Sequence, residues 1–369
     1  MRKILSILLA VMIFAGTTLP ALAVDETTET EASEALLDPE ELGAIIEEYM
    51  ASRNLADYNF GVAYCYTGTG ETWSYNAEKY FEAASLFKLP LMMCLANEIA
   101  NGELSMEDTI FGATVEYIMS NTLLHSNNDT ADLAVAYYQP YRNYRTMIAE
   151  LADIPEEKRP ETYYDRNILS AEFMLNVLKK LYANPETYPY VIDYMKQAQP
   201  GEFFRVKLGS QYEIAQKYGA YSGIAHTAAI VYTPTPCLGV VMTQHLGSSR
   251  DVIADVSEIL ANYTLTLDER FAQREAEKQA AAEKAEQERL AEEARIKAEE
   301  EAAEKARLEA EAEAQRAAEE AERIAEEERL LAMELAAKKS LQIKIVCISV
   351  LSVVLLAAAI LTVRKIKRK

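Results

Sequence analysis

Histidine, cysteine and glycine are scarce in this chain of 369 residues, which has three, four and 13 of them. His125, His226 and His245 stand far apart, so they have no metal-ligand spacing. Neither a metal nor a cofactor is expected. Cys347 falls in an apolar run near the C-terminus. Cys65, Cys94 and Cys237 remain, an odd number that makes no disulfide framework; their apolar surroundings point to buried thiols. No proline follows Pro236 and no glycine follows Gly247, so the last third has nothing that interrupts a helix. The body of the chain carries no basic cluster, and the formal net charge is -21. Both features exclude a nucleic-acid partner.

What is present is unevenly placed. Met1-Arg2-Lys3 precedes an apolar run from Ile4 to Ala15, and Ala21-Leu22-Ala23 supplies small residues at a cleavage position. This is the layout of a secretory signal peptide over residues 1–23. At the other end, Ile345 to Val363 holds no charge. As a helix it rises about 28 Å, enough to cross a membrane. The basic tail 364–369 should stay in the cytoplasm. The expected location is thus the cell membrane, single-pass, with the bulk outside. Residues 24–37 read as a solvated acidic linker. Residues 265–340 are nearly all Ala, Glu, Lys, Arg and Gln, with i, i+4 pairs such as Glu293 with Lys297, Glu301 with Lys305 and Glu319 with Arg323. If continuous, the run from Leu267 to Lys339 extends about 110 Å. Leu290, Ile296, Leu308 and Ile324 make only a thin seam, which favours a solitary charged stalk over a dimeric coiled coil. The oligomeric state stays open.

Between linker and stalk lies a candidate globular domain, residues 38–264. Asp38-Pro39-Glu40-Glu41 starts a helix with a cap, a first-turn proline and acids at the N-terminus. Asn59 to Thr67 and Glu71 to Tyr75 read as a hairpin. Ala83 to Ala100 reads as a buried helix. Residues 101 to 199 look helical, broken by Pro140, Pro155, Pro160 and Pro185. Tyr212 to Tyr221, Ala225 to Thr233 and Leu238 to His245 read as strands, and Asp251 to Tyr263 as a closing helix. The expected class is α+β: an antiparallel sheet formed from both chain ends, with an inserted helical lobe.

Three short elements carry chemistry. In Ser85-Leu86-Phe87-Lys88, spacing of three places hydroxyl and amine on one helical face. A serine nucleophile needs a base beside it, and a lysine held out of water can lose its proton and serve. In Ser126-Asn127-Asn128, the Ser126 hydroxyl is placed to pass a proton to a leaving nitrogen, and the Asn128 amide to hold a substrate carbonyl or Lys88. Ser52 with Asn54 has the same pattern, so the motif alone is weak. In Lys217-Tyr218-Gly219, the glycine lets a ligand approach the strand edge and Lys217 offers a cation to a substrate carboxylate. Tyr218 and Gly219 would line the substrate, and the backbone N–H groups of Ser85 and Ala220 would form an oxyanion hole. Lys207-Leu208-Gly209 competes with this third element, but strand alternation favours Lys217.

In this order and context the three elements resemble the serine β-lactamases and penicillin-binding proteins. Ala84 to Pro90 and Ser126 to Ala131 are similar to the class A branch. The resemblance covers residues 38 to 264. It implies the class A fold, a covalent acyl-serine, and β-lactams or D-Ala-D-Ala peptidoglycan stem peptides as substrates. The chain departs from that pattern in four places. No Glu-x-x-x-Asn follows Ser126; Glu161 is the nearest acid by position. Tyr218 stands where the family has Thr or Ser, no arginine follows on the next strand, and the lobe is short. Acylation of Ser85 should therefore be intact and hydrolysis of the acyl-enzyme slow.

Other readings remain. One is a sensor or inactive relative that holds drug or wall peptide without turnover. Another is a structural stalk protein with a packing head. A Ser-His-Asp arrangement, with His226 the best placed histidine, is a minor alternative because Ser85 already has a lysine at helical spacing.

Overall fold

A computed structural model describes residues 35–198 and 201–366. The expected signal peptide, most of the linker and the last three residues of the basic tail lie outside the described residues. The chain divides into two compact units, Met1–Glu275 and Ala276–Lys369, and each is taken by itself.

The strands of the first unit are β1 (Phe60–Tyr66), β2 (Thr72–Tyr75), β3 (Tyr80–Glu82), β4 (Thr109–Ile110), β5 (Ala113–Thr114), β6 (Ile168–Ser170), β7 (Ile214–Tyr221), β8 (Ile224–Val231) and β9 (Cys237–Gln244). Its helices are α1 (Pro39–Arg53), α2 (Lys88–Ala100), α3 (Val115–Leu124), α4 (Asn128–Tyr137), α5 (Tyr141–Leu151), α6 (Ala171–Ala183), α7 (Pro189–Gln197), α8 (Arg205–Leu208) and the start of α9, which runs Ser249–Ile366. Five strands form one antiparallel sheet in the order β2-β1-β9-β8-β7. Strands from both ends of the domain thus meet in one sheet, as expected, with the helical lobe between them in sequence.

Every residue of β1 is buried, since both faces of the sheet are covered. Ala63 and Cys65 face the lobe, in a core with Leu89, Met92 and Leu178. Phe60, Val62, Tyr64 and Tyr66 face the other side, packed with Leu42, Ile46, Val256 and Leu260 of α1 and α9. Helix α2 is enclosed from Lys88 to Ala96; Leu89, Leu91, Met92, Met93 and Leu95 are each 0% exposed, and only the last turn, Asn97 to Ala100, reaches the surface. Asp38 caps α1 by accepting from the Glu40 and Glu41 N–H groups, with Pro39 in the first turn. Cys65, Cys94 and Cys237 are buried free thiols, and burial pushes Cys94 up to about 12 and Cys237 to about 11.

Three expectations are corrected. The folded unit reaches past 38–264 at both ends: Leu36 and Leu37 are buried and donate their N–H groups to Glu71, while Leu267 is buried and Arg270 pairs with Glu41. The closing helix, the charged run and the apolar run are one helix, because neither proline nor glycine separates them. The region 101–199 is not purely helical. It contributes the β4–β5 hairpin and β6, which pairs with β3 through Phe81 and Leu169; such two- and three-residue strands are too short to leave a period in sequence.

In the second unit the helix is exposed throughout its described length and laced with ion pairs. Glu293 pairs with Arg289 rather than Lys297, and Arg323 with Glu320 rather than Glu319. On an exposed helix, i, i+3 and i, i+4 partners differ by only a few tenths of a kcal/mol, so sequence does not choose between them. Its C-terminal part contains an 18-residue window of mean hydropathy 2.8, long and apolar enough to cross a membrane.

Candidate active site

Ser85 lies in a 3-10 turn, Ala84–Phe87, and Lys88 is the first residue of α2. In a 3-10 turn, residues i and i+3 eclipse, so the two side chains share one face more closely than in the α-helix expected from sequence. Ala84, just before the serine, has φ 48°, and Ser126 has φ 53°. Left-handed backbone at a non-glycine residue costs of order 1–3 kcal/mol and persists only where surrounding contacts impose it. Both candidate hydroxyl segments are held this way.

Lys88 is fully buried. Its Nζ donates to Ser126 O at 2.6 Å and to Asn128 Oδ1 at 2.7 Å. Lys217 is also fully buried; its Nζ donates to Ser126 Oγ at 3.0 Å and to Tyr218 O at 2.7 Å. Ser126 therefore joins the two ammonium groups, its carbonyl to one and its hydroxyl to the other. Burial lowers Lys88 to about 8, opposed by the charge of Asp132. Burial lowers Lys217 well below its ordinary value, and the charge of Lys88 adds to the effect. Among the described residues neither lysine forms an ion pair within 4 Å, and none of their hydrogen bonds goes to a carboxylate. An ammonium without a counter-ion in a dry site gives up its proton more readily.

Gly219 brings β7 against the serine turn. A Cβ there would lie 2.7 Å from Ala83 O and 2.9 Å from both Ser85 N and Leu86 N. All three are backbone atoms, so only glycine allows this contact. Ala220 follows at the exposed end of the strand. The Tyr218 ring is stacked on Phe203 at 5.0 Å and lies under the Lys217 ammonium at 4.3 Å, the same ammonium that meets Ser126.

Hydrogen bonds and the β7 contact bring together the turn carrying Ser85 with Lys88, Ser126, Asn128, Lys217, Gly219 and Ala220. The competing motifs lie elsewhere. Lys207 is in the short helix α8 and pairs with Asp255 and Glu258. Ser52 is exposed on α1. Glu161 is exposed in a 3-10 turn, Glu161–Tyr164.

His226 is not part of a triad. Its Nδ1 accepts from the Thr243 N–H at 3.1 Å, which leaves Nε2 to donate to Glu82 O at 2.7 Å. Burial holds it near 4, so the ring is neutral. It ties β8 and β9 to β3, the strand that leads into the serine turn. Among the described residues no cluster of His, Cys, Asp and Glu suits a metal ion.

Sequence reasoning missed the loop beneath the turn. Arg145, fully buried, donates Nε to Tyr163 O at 3.0 Å and Nη2 to Ile168 O at 2.7 Å, while Tyr163 OH donates back to Arg145 O at 2.9 Å. Asn167 on that loop donates Nδ2 to Ala84 O at 2.8 Å. A lone Arg, Tyr or Asn among helices carries no signal in one sequence.

The family model described as the β-lactamase enzyme family matches residues 41–264. A β-lactamase from Chitinophaga pinensis DSM 2588 is similar in structure, with 18% identity and a TM-score of 0.53 over 60% of this chain and 99% of that one. An ancestral class A β-lactamase (GNCA) shares 17% identity and a TM-score of 0.53 over 60% and 99%. A β-lactamase from Sphaerobacter thermophilus DSM 20745 shares 18% identity and a TM-score of 0.52 over 62% and 98%. No curated protein matches the chain. With an α+β head whose fold is like that of class A β-lactamases and a long C-terminal helix, the chain belongs to the β-lactamase enzyme family.

Proposed function

We propose that this protein is an exported, membrane-anchored serine hydrolase that forms an acyl-serine at Ser85 with β-lactams or D-Ala-D-Ala stem peptides. The observation that carries the reading is the hydrogen-bonded run Lys88–Ser126–Lys217 beside the turn that holds Ser85. Ser85 Oγ attacks the amide carbonyl as its proton passes to the neutral Lys88 amine. The Ser85 and Ala220 N–H groups receive the developing oxyanion. Ser126 Oγ gives its proton to the leaving nitrogen as the C–N bond breaks and regains one from the lysines. Water then hydrolyses the ester. Asn128 keeps Lys88 in place; Gly219 keeps β7 close.

The exposed position of Glu161 and the packing of Tyr163 inside its loop favour slow release of the acyl group. That is also what a wall-peptide or drug sensor would need, the second reading. Residues 1–23 would be removed on export, the apolar segment 345–363 would span the membrane, and residues 364–369 would remain inside. The charged helix would carry the head towards the wall polymer.

The test is labelling of the full-length chain, in detergent, with a fluorescent penicillin, followed by the time course of release. Adduct on Ser85, absent in Ser85→Ala and lost over many minutes, is expected. Rapid hydrolysis would sink slow release, and no adduct would sink the acyl-enzyme reading.

A further inference from the structure

We infer that Asn167 is a positioning residue for Ser85, acting through the peptide group between Ala84 and Ser85. The claim about backbone geometry stands on contacts alone; its catalytic consequence rests on the function proposed above.

Asn167 grips the chain just before the serine twice. Its side-chain Nδ2 donates to Ala84 O at 2.8 Å, and its own carbonyl accepts from the Ala83 N–H at 2.8 Å. Ala84 O can only accept, so the nitrogen of the amide must face it. The amide oxygen is then left buried without a hydrogen-bond partner. Native folds rarely leave such an atom unpaired, and here the alternative orientation would break the contact to Ala84.

That contact has a direct geometric effect. Ala84 O and the Ser85 N–H belong to the same peptide plane, which is trans, so the two groups point in opposite directions. Fixing the carbonyl on the Asn167 side aims the N–H away from it. A hydrogen bond to a carbonyl also polarises the N–H of the same amide and strengthens it as a donor. Asn167 therefore both aims and strengthens the proposed oxyanion donor, although it does not touch substrate.

The grip is needed because Ala84 sits at φ 48° without being glycine. It is firm because its base is rigid. Arg145 holds Tyr163 O and Ile168 O, on either side of Asn167 in sequence; its guanidinium lies 3.9 Å from the Tyr163 ring centre. Arg166 pairs with Glu82, and β3 pairs with β6 directly after Asn167.

The experiment compares the full-length wild-type chain with Asn167→Ala and Asn167→Asp. The aspartate keeps the size but, ionised, cannot donate. Two quantities are read: the first-order acylation step against the half-saturating concentration of fluorescent penicillin, and hydrogen exchange of the amides in residues 83–87. Both variants should acylate roughly tenfold or more slowly with half-saturation within about twofold of wild type. Residues 83–87 should exchange at least about tenfold faster while the α2 amides stay protected. If both variants match wild type in both readouts, the inference is overturned. It is also overturned if weaker half-saturation accounts for the loss, or if both variants unfold. A wild-type chain that takes no label defeats the acyl-enzyme reading instead, and exchange alone then decides the role of Asn167.

Discussion

The Lys217 ammonium donates to the Ser126 hydroxyl at 3.0 Å, deep in a site where both lysines are fully buried. Lys88 meets the same residue at its carbonyl oxygen. Removing the Ser126 side chain therefore cuts one link and spares the other. Ser126→Ala should retain the Lys88 contact and the fold. Leaving a buried donor short of a partner costs about 1–3 kcal/mol, and losing the proton carrier should slow acylation roughly 100-fold or more. Thermal melting and penicillin labelling check both; unchanged labelling would remove Ser126 from the mechanism.

Lys88 should set the pH dependence of acylation. Its folded value is about 8, below the ordinary 10.5, because of burial. With the neutral amine as the proposed base, the rate should rise about tenfold per pH unit below 8 and level off above it. Stability follows the same group. The unfolded chain binds more protons between pH 8 and 10.5, so this contribution to stability increases as pH rises through that window. Lys88→Met should flatten both profiles, read by labelling rates and by melts from pH 6 to 10.

Gly219 leaves no room for a side chain. The β-carbon of Gly219→Ala would press on Ala83 O, Ser85 N and Leu86 N. Since backbone rather than a flexible side chain is met, the serine turn must move. A cost of about 1–3 kcal/mol is expected, together with loss of most labelling while circular dichroism stays near wild type. A fully active Gly219→Ala protein would contradict the close packing of β7 on the turn.

His226 should matter for stability and not for chemistry. His226→Ala loses two hydrogen bonds to backbone, at Glu82 O and the Thr243 N–H, and should cost about 1–3 kcal/mol. The folded value near 4 lies below the ordinary 6.5. The stability contributed by the neutral ring is full above pH 6.5 and is lost as pH falls towards 4. The wild-type melting temperature should thus drop more steeply than the variant's over that range, with the labelling pH profile of the two unchanged.

Glu161→Ala should leave the lifetime of the acyl-enzyme unchanged, since the residue is exposed on its 3-10 turn. A release rate lowered tenfold, followed by the fluorescence of the adduct, would make Glu161 the base that activates water.

Much of this was readable before any coordinates. The alternation in β7, β8 and β9, the cap at Asp38 and the all-apolar α2 follow from local periods and propensities that a single sequence carries. Ser85, Lys88, Ser126 and Lys217 were legible because each sits in a short motif with fixed spacing. The β3–β6 pairing and the Arg145–Asn167 support were not legible. The loop meets the serine turn 83 positions away and Arg145 at 18 and 23 positions, through side chains whose types occur in any protein.

By itself the sequence determined the α+β head, the helical character of the charged run 265–340, and the residue types able to do acyl transfer, because helix and strand periods and the lack of late proline and glycine act locally. Only the tertiary structure decided which lysine meets which end of Ser126, that Tyr218 packs on Phe203, that His226 is a strut, and that the peptide before Ser85 is clamped. Those outcomes depend on burial and on long-range contacts, which exist only once the sheet and the lobe have closed on each other.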